Sequence, residues 1–229
     1  MAGGGPPAPR SGEGSGPGRP LIRPAQPSDE ARLGEIAYLT GFFGDSARAY
    51  FPDQQLFADL WVRPYLHLDH NVSFVAQVGS EVVGYILGSV DEAEYRHALL
   101  RDLARTVLPG ALSQRYRRPL SGLPYLTRTL LYPSPHAPER EFPAHLHLNL
   151  LPNARGLGLG RNLLRTFLHQ LADRGVAGVQ LSTTDRNQAA LGLYTNEGFG
   201  VSASRPTPLW TPWLTQPVQQ LCLTRPMVR

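Results

Sequence analysis

Apolar positions recur along this chain at two periods, and the alternation between them outlines the fold. In "PSDEARLGEIAYLTG", residues 27–41, Leu33, Ile36, Ala37 and Thr40 fall on one stripe at helical spacing. Ser28 is the expected N-cap, and Asp29 and Glu30 suit the positive end of the helix dipole. A second helix, interrupted at Pro64, is expected over "DQQLFADLWVRPYLHL". "VSFVAQVGSEVVGYILGSVD" then changes to strand character on both sides of Gly79-Ser80, a hairpin signal. Residues 92 to about 130 read as helical, and "YPSPHAPEREFP" as a Pro-rich loop.

A strand over "AHLHLNLL" leads into a glycine-rich loop and then the helix "RNLLRTFLHQLADRG". Leu163, Leu164, Phe167, Leu168 and Leu171 share one face of that helix, and Gly175 ends it. "VAGVQLSTT" is the next strand, and "NQAALGLYTNEG" a short helix stopped by Gly198. "FGVSAS" and "PVQQLCLTR" are late strands, separated by a loop carrying Trp210 and Trp213. With a short opening strand in "LIRPA", the order is mixed α/β with a helical insertion, about 91–142, between the third and fourth strands. One domain over 21–229 is expected. Residues 1–20 are almost all Gly, Pro, Ser, Ala and Arg, have little to bury, and are expected to be unstructured.

Composition narrows the function classes. The chain has 229 residues and a formal charge of +4, and all 22 basic residues are arginine. The absence of lysine removes Schiff-base chemistry and any P-loop lysine. The charge is too small, and too little clustered with aromatics, to point to nucleic acid. The single cysteine, Cys222, permits no internal disulfide and is expected in the core. No run of about 18 apolar residues marks a membrane span, and the N-terminus lacks the apolar segment of a signal peptide. A soluble, cytoplasmic protein is the expectation.

The densest candidate for chemistry is "AHLHLNLLPNARGLGLGRNLL", residues 144–164. The dinucleotide fingerprint G-x-G-x-x-G/A fails from both possible starts, because Arg161 or Leu163 occupies its last position. The Walker A loop fails because Arg161 stands where lysine is required. What fits is strand, short loop Arg155-x-x-Gly158-x-Gly160, then amphipathic helix. Glycines let backbone N–H groups converge, and the helix adds unpaired N–H groups and its dipole, which suits a pyrophosphate. Arg161 is placed to add a charge-assisted contact.

These residues resemble motif A of the GNAT acyltransferase superfamily, R/Q-x-x-G-x-G/A. Asn187, Ala190 and Tyr194 in "RNQAALGLYTNEGF" resemble its motif B, at the usual separation. The resemblance implies a twisted mixed sheet that opens between "LHLNLL" and "VQLSTT", with acetyl-CoA as co-substrate. Backbone groups of Leu148, Asn149 and Leu150 would pair with the pantetheine arm. Arg155, Gly156, Leu157, Gly158, Leu159, Gly160 and Arg161 would hold the pyrophosphate, and Asn187 would touch the cofactor from the next helix. The segment "FPAHLHLNLLPNARGLGLGR", with the helical insertion before it, is also similar to the acetyltransferase-like C-terminal domain of O-GlcNAcase and its bacterial relatives. Family members often dimerise, so a homodimer is among the expectations.

The implied activity is direct acetyl transfer to an amine of a small molecule or protein; the competing reading is an acetyl-CoA-binding module without catalysis. Tyr194 matches the family's proton donor to the leaving sulfur. The position where a glutamate base often stands is Ser182, which is too weakly basic alone. His145 and His147 are the alternative bases, two residues apart on a strand and so on one face with Asn149. No third ligand follows them at suitable spacing, so no metal is expected. Asp69-His70 and Asp185 are expected in surface loops. Tyr65, Tyr95, Tyr125, Trp210 and Trp213 are candidates for the acceptor wall.

Overall fold

The computed structural model describes residues 20–68 and 72–227. The expected N-terminal tail, apart from Pro20, and the Asp69-His70 loop lie outside the described residues. Seven strands form one sheet in the order β1-β2-β3-β4-β5-β7-β6. They are β1 (Leu21–Pro24), β2 (Phe74–Val78), β3 (Glu81–Ser89), β4 (Ala144–Leu150), β5 (Gly178–Thr184), β6 (Gly200–Thr207) and β7 (Val218–Pro226). Every neighbouring pair is antiparallel except β4 and β5.

That parallel pair sets up the site. β4 and β5 share only the Ala144↔Val179 and His145↔Gln180 positions. On its other side β4 stays in register with β3 as far as Gly84↔Leu150, and β5 with β7 as far as Thr184↔Gln220. Each strand is therefore held firmly by its outer neighbour while the two part from one another. The result is a V-shaped opening in the middle of the sheet.

Hydrophobic positions on alternate sides of the strands feed two cores, one per face. In β3 a register shift against Ala76 and Gln77 interrupts the alternation, so that Val82 joins the face of Tyr85 and Leu87. Val82, Tyr85 and Leu87 pack toward α1 (Glu30–Thr40) and α2 (Gln54–Trp61), whereas Val83 and Ile86 pack toward α7 (Leu159–Asp173). A strand buried on both faces reads as an unbroken apolar run, as "VVGYIL" does. The α7 stripe is buried as the spacing predicts: Leu163, Leu164, Phe167 and Leu171 are fully enclosed. Gly88 on β3 admits the Phe167 ring, since a Cβ there would lie 2.2 Å from Phe167 Cε2.

The start of α1 differs from expectation. Ser28 sits inside a 3-10 turn, Pro27–Asp29, and does not cap the helix. Asp29 makes no capping bond to α1 either but anchors the turn: its Oδ2 accepts the Gln26 N–H at 2.8 Å, and both its oxygens accept from Arg23, at 2.7 and 2.8 Å. A carboxylate offers more acceptor sites than a hydroxyl, so it joins strand, turn and helix at once. The second helix breaks at Val62, two residues before Pro64, into α2 and a single turn, α3 (Arg63–Leu66).

The insertion between β3 and β4 comprises α4 (Glu92–Asp102), a π-helical turn (Leu103–Val107), α5 (Leu108–Leu112) and α6 (Leu123–Leu131). It is clamped by Asp59, whose carboxylate is 1% exposed and accepts from Arg115 at 3.0 Å and Tyr116 at 2.8 Å. α8 (Gln188–Asn196) follows β5, and Gly198 at φ +86° ends it.

Candidate active site

Two adjoining cavities occupy the opening between β4 and β5. The first, about 480 Å³, runs from Leu148–Leu150 along the glycine loop to α8. Gly156 and Gly158 have φ of +78° and +75°, values that a side chain with a Cβ rarely adopts. A Cβ built at either would meet nothing within 4 Å, so their conformation, not crowding, requires glycine. Gly160 is the opposite case: it lets α7 close onto Leu150, 3.1 Å from where its Cβ would stand. The first N–H groups of α7 have no partner inside the helix, and Asn162 is the first to bond back, to Gly158 at 3.0 Å. The loop thus presents donors and a helix dipole to one small space.

Most of the cofactor residues expected from sequence line this cavity: Leu148–Leu150, Arg155, Gly156, Gly158–Arg161, Asn187 and Tyr194. Leu157 does not, and is 59% exposed. The two arginines are otherwise engaged. Arg155 Nη2 donates to the Gly44 carbonyl at 2.7 Å, tying the loop after α1 to the glycine loop. Arg161 Nε lies 3.2 Å from Glu197, which Arg165 also contacts at 2.9 Å. Asn187 caps α8, its Oδ1 accepting the Ala190 N–H at 3.3 Å, as well as bordering the cavity.

The second cavity, about 290 Å³, lies deeper along β4 and is walled by aromatic rings, among them Tyr50, Phe57, Trp61, Tyr125 and Trp210. It shares Thr40, Phe43, Leu148, Asn149, Asn187, Ala190 and Tyr194 with the first. Tyr194 therefore stands where the two spaces meet. The residue is 5% exposed, and its ring packs on Phe199 with centroids 5.4 Å apart. Burial pushes that phenol well above its ordinary pKa, so it is a neutral donor across the whole working range.

Of the paired histidines, His147 lines the second cavity and His145 lines neither of the two. Solvent reaches its ring through the cavity mouth, but surrounding protein, aided by the charge of His145, lowers its pKa to about 4. His145 turns to the insertion. Its Nδ1 lies 3.0 Å from Glu92 Oε2 without hydrogen-bond alignment, and its ring packs on Tyr65 and Tyr95 with centroids 5.5 and 4.7 Å away. Burial raises the Glu92 carboxyl, but His145 and the charges of His136 and Arg96 outweigh it and leave the group below its ordinary value. Tyr65 and Tyr95, expected in the acceptor wall, thus back the histidines instead. Trp213 packs on Tyr50 and Tyr125 without lining the cavity, while Tyr125 and Trp210 do line it.

Sequence reading passed over Thr40, Phe43, Gly44 and Glu92. Asn149 Nδ2 donates to Thr40 Oγ1 at 2.6 Å, pinning α1 to β4 at the edge of the opening. Phe43 has φ +54° and Gly44 φ +99°, a strained turn beside the shared wall. The only local sign was "GFFG", two aromatics between glycines. Asp185 lies close to β7, its Oδ1 accepting the Gln219 N–H at 3.1 Å. Among the described residues, no three His, Cys, Asp or Glu are grouped to hold a metal ion, and no helix is long and apolar enough to cross a membrane.

Comparison with known proteins agrees with this architecture. Residues 130–199 match the model of the acetyltransferase (GNAT) family. A 48-residue segment is 50% identical to mycothiol acetyltransferase of Thermomonospora curvata, covering 21% of this chain and 16% of that protein. The chain thus matches about a sixth of the length of that curated relative. The crystal structure of SsHAT superposes with a TM-score of 0.63 at 27% identity, over 92% of this chain and 99% of that one. A putative acetyltransferase from Salmonella typhimurium, solved with its cofactor acetyl-CoA, shares the fold at a TM-score of 0.54 and 16% identity, over 92% and 95% of the two chains. The fold over most of the chain and the family match over residues 130–199 are both similar to acetyltransferases of the GNAT type.

Proposed function

We propose that the chain is an acetyl-CoA-dependent N-acetyltransferase that passes the acetyl group directly to an amine. The observation that carries this reading is the meeting of two cavities at Tyr194: one shaped for a pyrophosphate and an extended arm, the other for an acceptor. The glycine loop would hold the pyrophosphate through backbone N–H groups of Gly156–Arg161. The unpaired edge of β4 at Leu148–Leu150 would hold the pantetheine arm by strand-like bonds. Acetyl-CoA supplies the activated thioester when bound.

The amine nitrogen attacks the acetyl carbon, the C–N bond forms, the C–S bond breaks, and one proton leaves the nitrogen. Tyr194, kept neutral by burial, donates its hydroxyl proton to the departing thiolate and regains one from water at the cavity mouth, which leaves the amide, free CoA thiol and the neutral phenol. His147 stays neutral above about pH 4, so it accepts a hydrogen bond from the incoming amine and orients its lone pair. So low a basicity makes it a poor acceptor of a full proton, which passes to water at the cavity mouth. His145, held against Glu92 and the tyrosines, is a positioning residue for the β4 face.

A second reading, an acetyl-CoA-binding module without transfer, has one observation in its favour: no carboxylate or strongly basic group lines the acceptor cavity. The sequence resemblance to the acetyltransferase-like domain of O-GlcNAcase accommodates either reading. Calorimetric titration with acetyl-CoA, followed by detection of free CoA thiol with an amine panel, separates them. Heat without thiol release identifies the binding module, and no heat removes both.

A further inference from the structure

The second cavity has a chemical character that the family match does not specify. None of its lining residues is Asp, Glu or Arg, and eight are aromatic. The rings form one continuous wall: Tyr50, Tyr125 and Trp210 lie within 4.4–5.3 Å of each other by centroid. The wall is assembled from distant segments. α6 brings Tyr125, and Arg128 of the same helix donates to the carbonyls of Pro208 and Leu209, holding the Trp210 loop in place.

Polar groups without partners sit among these rings. Thr184 Oγ1, Gln220 Oε1 and Trp210 Nε1 are all buried and make no hydrogen bond. Their residues are 3%, 8% and 8% exposed, and all three line the cavity. Thr184 and Gln220 are direct cross-strand neighbours on β5 and β7, so their side chains share a face. A buried polar atom left unpaired forfeits its hydration with nothing in return, so three of them in one wall mark a place that a ligand can complete. The wall offers both a donor, the indole N–H, and acceptors.

We propose that this cavity takes a small amine carried on an aromatic ring, with no anionic group and with one hydroxyl-type substituent that engages Thr184 and Gln220. The inference deepens the transferase reading and rests on it for the acetyl transfer. Each part follows from the lining. A flat ring fills a slot between aromatic faces by offset and edge contacts. An ammonium arriving from solvent is met by ring faces, which attract cations without a carboxylate. A carboxylate or phosphate on the ligand would be buried with no cation to pair it. A lysine side chain would fill only its narrow stem and leave the three polar atoms unpaired. The volume, about 290 Å³, is at the lower end of small-molecule sites, which run from roughly 300 Å³ upward.

The test uses the full chain and two readouts. Binding of tyramine is followed by tryptophan fluorescence and calorimetry, with tyrosine, spermidine and a lysine-containing peptide as competitors. Turnover with acetyl-CoA is then measured for the same panel and for phenethylamine. Tyramine is expected to bind, to quench the fluorescence, and to exceed tyrosine in kcat/KM by at least about thirtyfold. Gln220→Leu is expected to lower the preference for tyramine over phenethylamine about tenfold, a ratio that general damage does not move. Equal or better use of tyrosine, spermidine or the peptide overturns the inference while leaving the transferase reading intact. Tyramine binding in a protein that takes no acetyl-CoA supports the cavity assignment and removes the transferase reading. Absence of tyramine binding in a protein that does bind acetyl-CoA overturns the assignment.

Discussion

The two cavities are built by opposite means. The cofactor side is made from one continuous piece of chain: the end of β4, the glycine loop and the first turn of α7, with α8 close behind. Its working groups are mainly backbone, released by Gly156 and Gly158. The acceptor side gathers side chains from the loop after α1, from α2, from α6 and from the Trp210 loop, which lie far apart in sequence. Backbone recognition tolerates wide variation in neighbouring side chains, whereas a side-chain wall changes character with each substitution. One fold can thus keep its cofactor while its acceptor side is rebuilt.

The contrast is tested most directly at Tyr194, the residue that lines both cavities and is proposed as the proton donor. Tyr194→Phe keeps the ring and removes the proton donor, so kcat is expected to fall by roughly 10²-fold or more with acetyl-CoA affinity nearly unchanged. Single-turnover kinetics beside a calorimetric titration check the split, and an unaltered chemical step removes the residue from the mechanism. Gly158→Val addresses the cofactor side alone. It forces a β-branched residue to φ +75°, at a cost of about 1–3 kcal/mol, which converts to a loss of roughly tenfold to a hundredfold in acetyl-CoA affinity. Unchanged affinity by calorimetry removes the backbone cradle.

Trp210→Leu addresses the acceptor side alone. Loss of the ring and its N–H is expected to raise the acceptor KM about tenfold, in line with roughly 1–1.5 kcal/mol for such contacts, while acetyl-CoA binding stays within twofold. If both affinities move together, the two halves are not separable. The smallest effect is in pH. His147 takes its proton near pH 4 in the folded chain and near 6.5 when unfolded, so the folded state binds fewer protons between those values. The stability associated with its neutral form is fully present above pH 6.5 and declines as pH falls toward 4. An NMR titration of the ring resonance with a midpoint near 6.5 contradicts this.

How far the sequence could be read follows the same division. The glycine loop, the α7 stripe and the Asn187-to-Tyr194 spacing are local patterns, and the structure places them together along one cavity. A mixed sheet opening between β4 and β5 was implied by motif resemblance, and the brief β4–β5 pairing agrees with it. What sequence could not show was contact across distance. His145 and His147 look equivalent two residues apart on one strand. Only the packing of α4 shows that one meets Glu92 while the other opens to the cavity. Arg155 and Arg161 read as two cations beside a phosphate loop, yet one reaches Gly44 and the other Glu197. Tyr65 and Trp210 are both aromatics, and only tertiary placement separates a backing residue from a wall residue. Ser28 does not cap α1, because the chain enters that helix through a 3-10 turn whose Asp29 bonds back to Gln26 and Arg23, partners that a local rule does not count.

The bond from Arg155 to the Gly44 carbonyl joins the glycine loop to the turn that carries Phe43, and Phe43 borders both cavities. A guanidinium so placed ties a loop of the first cavity to the turn of a residue that walls both. If cofactor and acceptor do influence one another across that wall, the influence is reciprocal: whatever factor the first adds to the affinity for the second, the second returns to the first.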